Sequence, residues 1–141
     1  MSKRIVLLGH PVAHSLSPAF QQAAFDHLGL PVRYERLDVP PKELAAAVDA
    51  LRADPDLIGA NITIPHKQNV IEFMDELTPT AKAIGAVNTI YLRDNKLIGD
   101  NTDAPGFLSD LKRFLTTETQ RHGNRNALVL GAGGSARAVV Y

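Results

Sequence analysis

The spacing of apolar residues changes along the chain, and each change marks an element. Ile5 to Leu8 is a continuous apolar run stopped by Gly9 and Pro11, the pattern of a buried strand. Ser17-Pro18 then has the form of a helix N-cap followed by the first helical position. Phe20, Ala23, Ala24, His27 and Leu28 follow at helical spacing, and Gly29 is placed to end that helix. Residues 32–39 alternate apolar and polar as a half-buried strand does, until Pro40-Pro41 breaks them. Leu44, Val48 and Leu51 line one face of a second helix. Residues 57–64 predict a third strand closed by Pro65. Short helices are expected over 66–74 and 79–83. Residues 86–92 and 96–98 predict two strands joined by a turn at Asp94-Asn95. Phe107, Leu108, Leu111, Phe114 and Leu115 make an amphipathic helix, and residues 116–126 are polar. A last apolar run, Ala127 to Leu130, feeds the turn Gly131-Ala132-Gly133-Gly134.

Strands and helices alternate through residues 1–102, which predicts an α/β lobe of three layers with a mostly parallel sheet. Residues 103–125 serve as a linker helix and connector. Residues 126–141 then begin a second unit, the first strand, turn and helix of a truncated Rossmann domain. Gly131, Gly133 and Ala136 fit G-x-G-x-x-G/A, a spacing that lets backbone approach a pyrophosphate at a helix N-terminus. The reader of the ribose would come about 20 residues later, beyond Tyr141.

Composition narrows the chemistry. Fifteen basic residues balance fifteen acidic ones, so no nucleic-acid or membrane-surface footprint is expected. The absence of cysteine excludes disulfides, thiolate catalysis and Cys-based metal sites. No apolar stretch approaches the roughly 18 residues of a membrane span, and the apolar run at the N-terminus is too short for a signal-peptide core. A cytoplasmic protein is the expectation. His10 and His14 are four apart, but Pro11 argues against a shared helical face, and no metal site is expected. No G-x-S-x-G elbow of a serine hydrolase is present.

Four clusters remain as candidate chemistry. Ser15-Leu16-Ser17-Pro18 follows the first strand, where ligands gather in open α/β sheets. Two hydroxyls and the amides of a helix start suit a carboxylate, although capping alone accounts for Ser17. Asn61-Ile62-Thr63-Ile64-Pro65-His66-Lys67 places an asparagine in a strand, where the residue is depleted, and a lysine after the break. That lysine reads either as a proton shuttle or as an ordinary solvated side chain. Asn88, within Gly85-Ala86-Val87-Asn88-Thr89, sits in an apolar pattern and needs partners from the protein or from a ligand. Asp103, in Asn101-Thr102-Asp103, precedes a helix with Pro105 in its first turn and suits a cap.

Taken in order, these clusters and the glycine turn resemble the successive motifs of the shikimate dehydrogenases, over essentially the whole chain. The resemblance implies an NADPH-dependent enzyme that reduces 3-dehydroshikimate to shikimate on the way to aromatic amino acids. It implies that Ser15 and Ser17 bind the substrate carboxylate, and that Asn61, Thr63, Asn88 and Asp103 bind hydroxyls or the reacting oxygen. Lys67 and Asp103 become the catalytic pair, with Lys67 also touching substrate. Gly131, Ala132, Gly133, Gly134 and Ser135 become the cofactor turn, for NADP and without a metal. The same resemblance implies that the chain matches roughly the first half of such an enzyme. Alone, it is then expected to bind NADPH poorly, to turn over little, and to pair with a missing C-terminal segment or a second copy. A quinate or dual-specificity dehydrogenase stays open, as does a non-catalytic shikimate-binding lobe, which would need neither Lys67 nor the glycine turn.

Overall fold

The computed structural model describes residues 3–117, 128, 129 and 131–141. Strand β1 (Lys3–Gly9) is followed by helix α1 (Ser17–His27) and strand β2 (Val32–Asp38). A single 3-10 turn at Pro41–Glu43 leads into α2 (Leu44–Ala53), then β3 (Leu57–Ile62) and a 3-10 helix at Asn69–Phe73. Strand β4 (Glu76–Leu77), helix α3 (Pro79–Ile84) and the hairpin β5 (Thr89–Arg93) and β6 (Lys96–Asp100) complete the sheet. Helices α4 (Asp103–Thr117) and α5 (Gly134–Val140) follow.

The six strands lie in the order β2-β1-β3-β5-β6-β4. Three of the five pairings are parallel, β1 with β2, β1 with β3, and β4 with β6. The β5–β6 hairpin contributes the two antiparallel pairings. Its turn places Asp94 and Asn95 at φ 51° and 61°, the left-handed pair that matches the twist of a two-residue hairpin.

Alternation along β1 divides the core. Val6 and Leu8 join Val48, Leu51, Ile62 and Val70 in the main cluster on the α2 side. Leu7 and Ile5 point the other way, toward Val12, Tyr34 and Phe25 of the α1 side. Helices therefore cover both faces, giving the expected three layers. On α2 the predicted face is the buried one, with Leu44, Val48 and Leu51 all inside. A third cluster joins Ile84 to the small residues Ala86, Ala104 and Ala138, which let α3, α4 and α5 approach closely.

Several expectations are corrected. The apolar row of α1 faces solvent: Phe20 is 58% exposed and Leu28 66%, and Ala23, Ala24 and His27 are exposed too. The helix docks by another side. Gln22 accepts from the Tyr34 amide at 2.8 Å and donates to the Val32 carbonyl at 3.1 Å. It thereby satisfies backbone groups on the open edge of β2, which no leucine can do. The expected helix over 66–74 is a turn followed by the 3-10 segment, tightened by i→i+3 bonds such as Ile71 N–H to Gln68 O at 3.2 Å. Of the expected strand Ala127 to Leu130, Leu128 and Val129 belong to no strand, and Leu128 is 84% exposed. Neither is paired with a described strand, and Ala127 and Leu130 lie outside the described residues. Strand β4 had no signal, being two residues long.

Asp75, between the 3-10 helix and β4, ties the second edge of the sheet together. It accepts from Arg52 of α2 at 2.5 Å and from the Leu97 amide of β6 at 2.7 Å. The Arg52 bond first, and then the Leu97 N–H, hold its carboxyl below the usual 3.8. A lowered native pKa stabilises the fold above 3.8, and the contribution is lost as pH falls through the native value. Asp75→Asn should therefore lower the melting temperature at neutral pH. The gap to wild type should close in acid, and a gap independent of pH in paired melting curves would refute the assignment.

Candidate active site

Every sequence-derived candidate lies at one end of the sheet, where β1, β3 and β6 finish and β5 begins. The chain leaves β1 and β3 through cis peptides, His10-Pro11 and Ile64-Pro65. The two exits are stitched together. The His10 amide donates to the Ile64 carbonyl at 2.9 Å, and the Thr63 amide to the Leu8 carbonyl at 2.9 Å. Gly9 permits this, since a side chain there would overlap the Thr63 methyl and the Ile64 carbonyl.

Ser15 and Ser17 sit just past β1, half-buried. The N-cap of α1 is Leu16, and Ser17 is the first helical residue without a capping bond. Ser15 instead takes the Ser17 amide on its Oγ at 3.2 Å. Ala19 and Phe20 donate to the Leu16 carbonyl, and Pro18 has no N–H. The expectation of free helix-start amides is thus corrected: what this loop offers a carboxylate is its hydroxyls. Arg36 of β2 fixes the loop from below, donating to the Ser15 carbonyl at 2.7 Å.

Lys67 and Asp103 meet across the site. Lys67 Nζ stands 2.5 Å from Asp103 Oδ2, with the two side chains 13% and 32% exposed. This answers the alternative of a solvated lysine. Asp103 opens α4, but its carboxylate does not cap that helix. Asn101 does so, its Oδ1 accepting from the Asp103 and Ala104 amides at 3.0 and 3.4 Å. Asn101 is 1% exposed and donates to the Ala86 carbonyl at 3.0 Å. The Asp103 side chain is left for Lys67 and for Asn88, whose Nδ2 donates to Asp103 Oδ1 at 2.8 Å and to Thr102 Oγ1 at 2.9 Å. Asn88 Oδ1 accepts from the Thr102 amide at 2.9 Å and from Thr89 Oγ1 at 2.9 Å. Its amide is fully used inside the protein, aiming Asp103. Asn61 and Thr63 lie on the β3 side of the same edge, half-buried.

The glycine turn reaches this pair. Ser135 Oγ accepts from Lys67 Nζ at 3.0 Å. A side chain at Gly134 would stand 3.0 Å from Lys67 Cβ and 3.1 Å from Ala86 Cβ, so glycine allows the close seat of α5. Gly131, Gly133, Gly134 and Ser135 line a cavity of about 370 Å³ with Ile64, Pro65, Lys67 and Gln68. Gly131 has φ +119°, a conformation that a side chain would strain. Among the described residues no cluster of His, Asp or Glu could hold a metal, and no helix is long and apolar enough to cross a membrane.

Residues 7–90 match the family described as the shikimate dehydrogenase substrate binding domain. The chain belongs to the shikimate dehydrogenase family. It is 51% identical over 133 residues to the shikimate dehydrogenase (NADP(+)) of Symbiobacterium thermophilum, covering 94% of this chain and 44% of that protein. It is similar to the Thermus thermophilus shikimate 5-dehydrogenase structure in complex with NADP(H) and shikimate, with TM-score 0.83 and 44% identity. That match covers 97% of this chain and 50% of the other. A 5-ketofructose reductase of a Gluconobacter species is also similar, with TM-score 0.83 and 39% identity, over 99% of this chain and 48% of that one. The chain thus spans about half the length of the relatives it matches.

Three residues that matter here escaped sequence reasoning: Asn101, Ser135 as a partner of Lys67, and Tyr34, which donates to Asn61 Oδ1 at 2.7 Å. Asn101 carried a usable signal, as a polar residue two before a helix start. Asn101→Ala should cost about 1–3 kcal/mol, read as a lower denaturant midpoint at unchanged slope. A loss below about 0.5 kcal/mol would show that the bonds to Ala86, Asp103 and Ala104 are replaceable by water.

Proposed function

We propose that this chain supplies the substrate lobe and the acid–base pair of an NADP-dependent shikimate dehydrogenase, which reversibly reduces 3-dehydroshikimate to shikimate. One observation carries the reading. Lys67 is clamped by Asp103 on the substrate side and touches Ser135 of the glycine turn on the other. A proton donor so placed stands between a ring substrate and a dinucleotide.

The roles follow from the side chains that the fold gathers at this end of the sheet. The Ser15 and Ser17 hydroxyls receive the substrate carboxylate. Asn61 and Thr63 take ring hydroxyls, and Asn88 and Asp103 border the reacting oxygen. Contact between Asn88 and substrate exchanges one of its bonds to Thr102 or Asp103. Gly131, Ala132, Gly133, Gly134 and Ser135 would hold the pyrophosphate of NADP on backbone amides. When bound, that cofactor supplies the hydride chemistry at the carbonyl carbon. As the carbonyl oxygen gains charge, Lys67 gives it a proton and is recharged from solvent. In the reverse direction the neutral lysine takes the hydroxyl proton. Asp103 holds Nζ in place in both directions.

The similarity to a 5-ketofructose reductase favours one second reading, that the lobe takes a different polyhydroxylated ketone or a close ring analogue such as quinate. Titration calorimetry on the chain, with shikimate, quinate and a ketohexose in separate arms, distinguishes these. Shikimate heat alone is expected; heat only from the ketohexose would overturn the assignment. In a form of the protein that turns over, Lys67→Ala should lower kcat by about 10²–10⁴-fold and change shikimate affinity modestly. Unchanged turnover would remove Lys67 from the chemistry.

A further inference from the structure

Strand β2 carries no candidate chemistry by its sequence, yet its residues on one side of the pleat serve the site. Arg36 holds the Ser15 loop. Two positions earlier, Tyr34 reaches Asn61 of β3, although β1 runs between the two strands. Tyr34 is in register with Ile5, and Asn61 with Leu7, so the two side chains together bridge two strand spacings, about 9.5 Å, and a two-residue stagger. Phenylalanine would lack the atom that makes the contact.

We infer that Tyr34 is a positioning residue for substrate recognition: its hydroxyl bonds the Asn61 side-chain oxygen and so holds that amide with its Nδ2 end presented to a ligand as a donor. The inference rests on the substrate reading above. The Tyr34 O–H donates to Asn61 Oδ1 at 2.7 Å, and in this arrangement Nδ2 is the end of the amide left for a ligand. No partner among the described residues takes the Asn61 Nδ2 hydrogens, and the residue is half-buried near the end of β3. The amide therefore selects an acceptor oxygen, such as a ring hydroxyl through its lone pair or a ketone.

The lock is held firmly. Tyr34 is 7% exposed and packs against Phe25, with ring centroids 6.5 Å apart. Its backbone amide is held by Gln22. Burial also raises its pKa to about 12, so the phenol keeps its proton at any ordinary pH.

The test uses the chain itself and two readouts. In the ligand-free protein, Tyr34→Phe should shift or broaden the Asn61 side-chain amide resonances and leave those of Asn88 and Asn101 in place. In calorimetry, Tyr34→Phe should weaken shikimate binding about tenfold in the wild-type background. In an Asn61→Ala background it should weaken binding no further. An unmoved Asn61 amide, or equal losses in both backgrounds, would overturn the inference. A wild-type chain that takes up no shikimate sinks the substrate assignment and the recognition role with it. The amide spectrum then separates that failure from a missing Tyr34–Asn61 bond.

Discussion

The Lys67–Asp103 ion pair is the contact around which the rest is arranged. The partners are 36 residues apart in sequence and come from different sheet exits, one after β3 and one after β6. Bringing them to 2.5 Å requires β5 and β6 to lie between β3 and α4 as a hairpin, in the register observed. It also requires the close stitching of the β1 and β3 exits over Gly9. A half-buried charge left without its partner is costly, so the pair and the topology enforce each other.

Around the pair the protein spends asparagines where a simpler design would use one capping aspartate. Asn101 caps α4 and anchors it to the Ala86 carbonyl. Asn88 saturates itself on Thr89, Thr102 and Asp103. Asp103 accepts from Asn88 Nδ2, and Tyr34 donates to Asn61 Oδ1, so each amide has a partner inside the protein. The effect is a site whose donors and acceptors are assigned before any ligand arrives, the condition for electrostatic stabilisation without reorganisation.

How much of this the sequence made legible follows from range. Local signals read well. The Asp94-Asn95 turn and the Leu44, Val48 and Leu51 face of α2 came from residues that are neighbours in the chain. The order of the clusters also brought out Lys67, Asp103 and Asn88, which the fold unites. What failed depended on distant partners. The apolar row of α1 could not reveal that Gln22 would dock the helix on the β2 edge. Ser17 looked like a cap because its neighbours resemble one, whereas Ser15 takes the amide. Tyr34 looked like any inward residue of an alternating strand, since its reach to β3 depends on strand order.

We propose that one end of the sheet, and no other surface, receives a polyhydroxylated ring with its reacting oxygen at Lys67. The structure of the chain with shikimate bound tests it most directly. The ligand carboxylate should lie at the Ser15 and Ser17 hydroxyls and a ring oxygen within about 3 Å of Lys67 Nζ. Shikimate seated elsewhere would contradict it, for example in the apolar groove of Thr80, Phe107, Leu108, Leu111 and Val139.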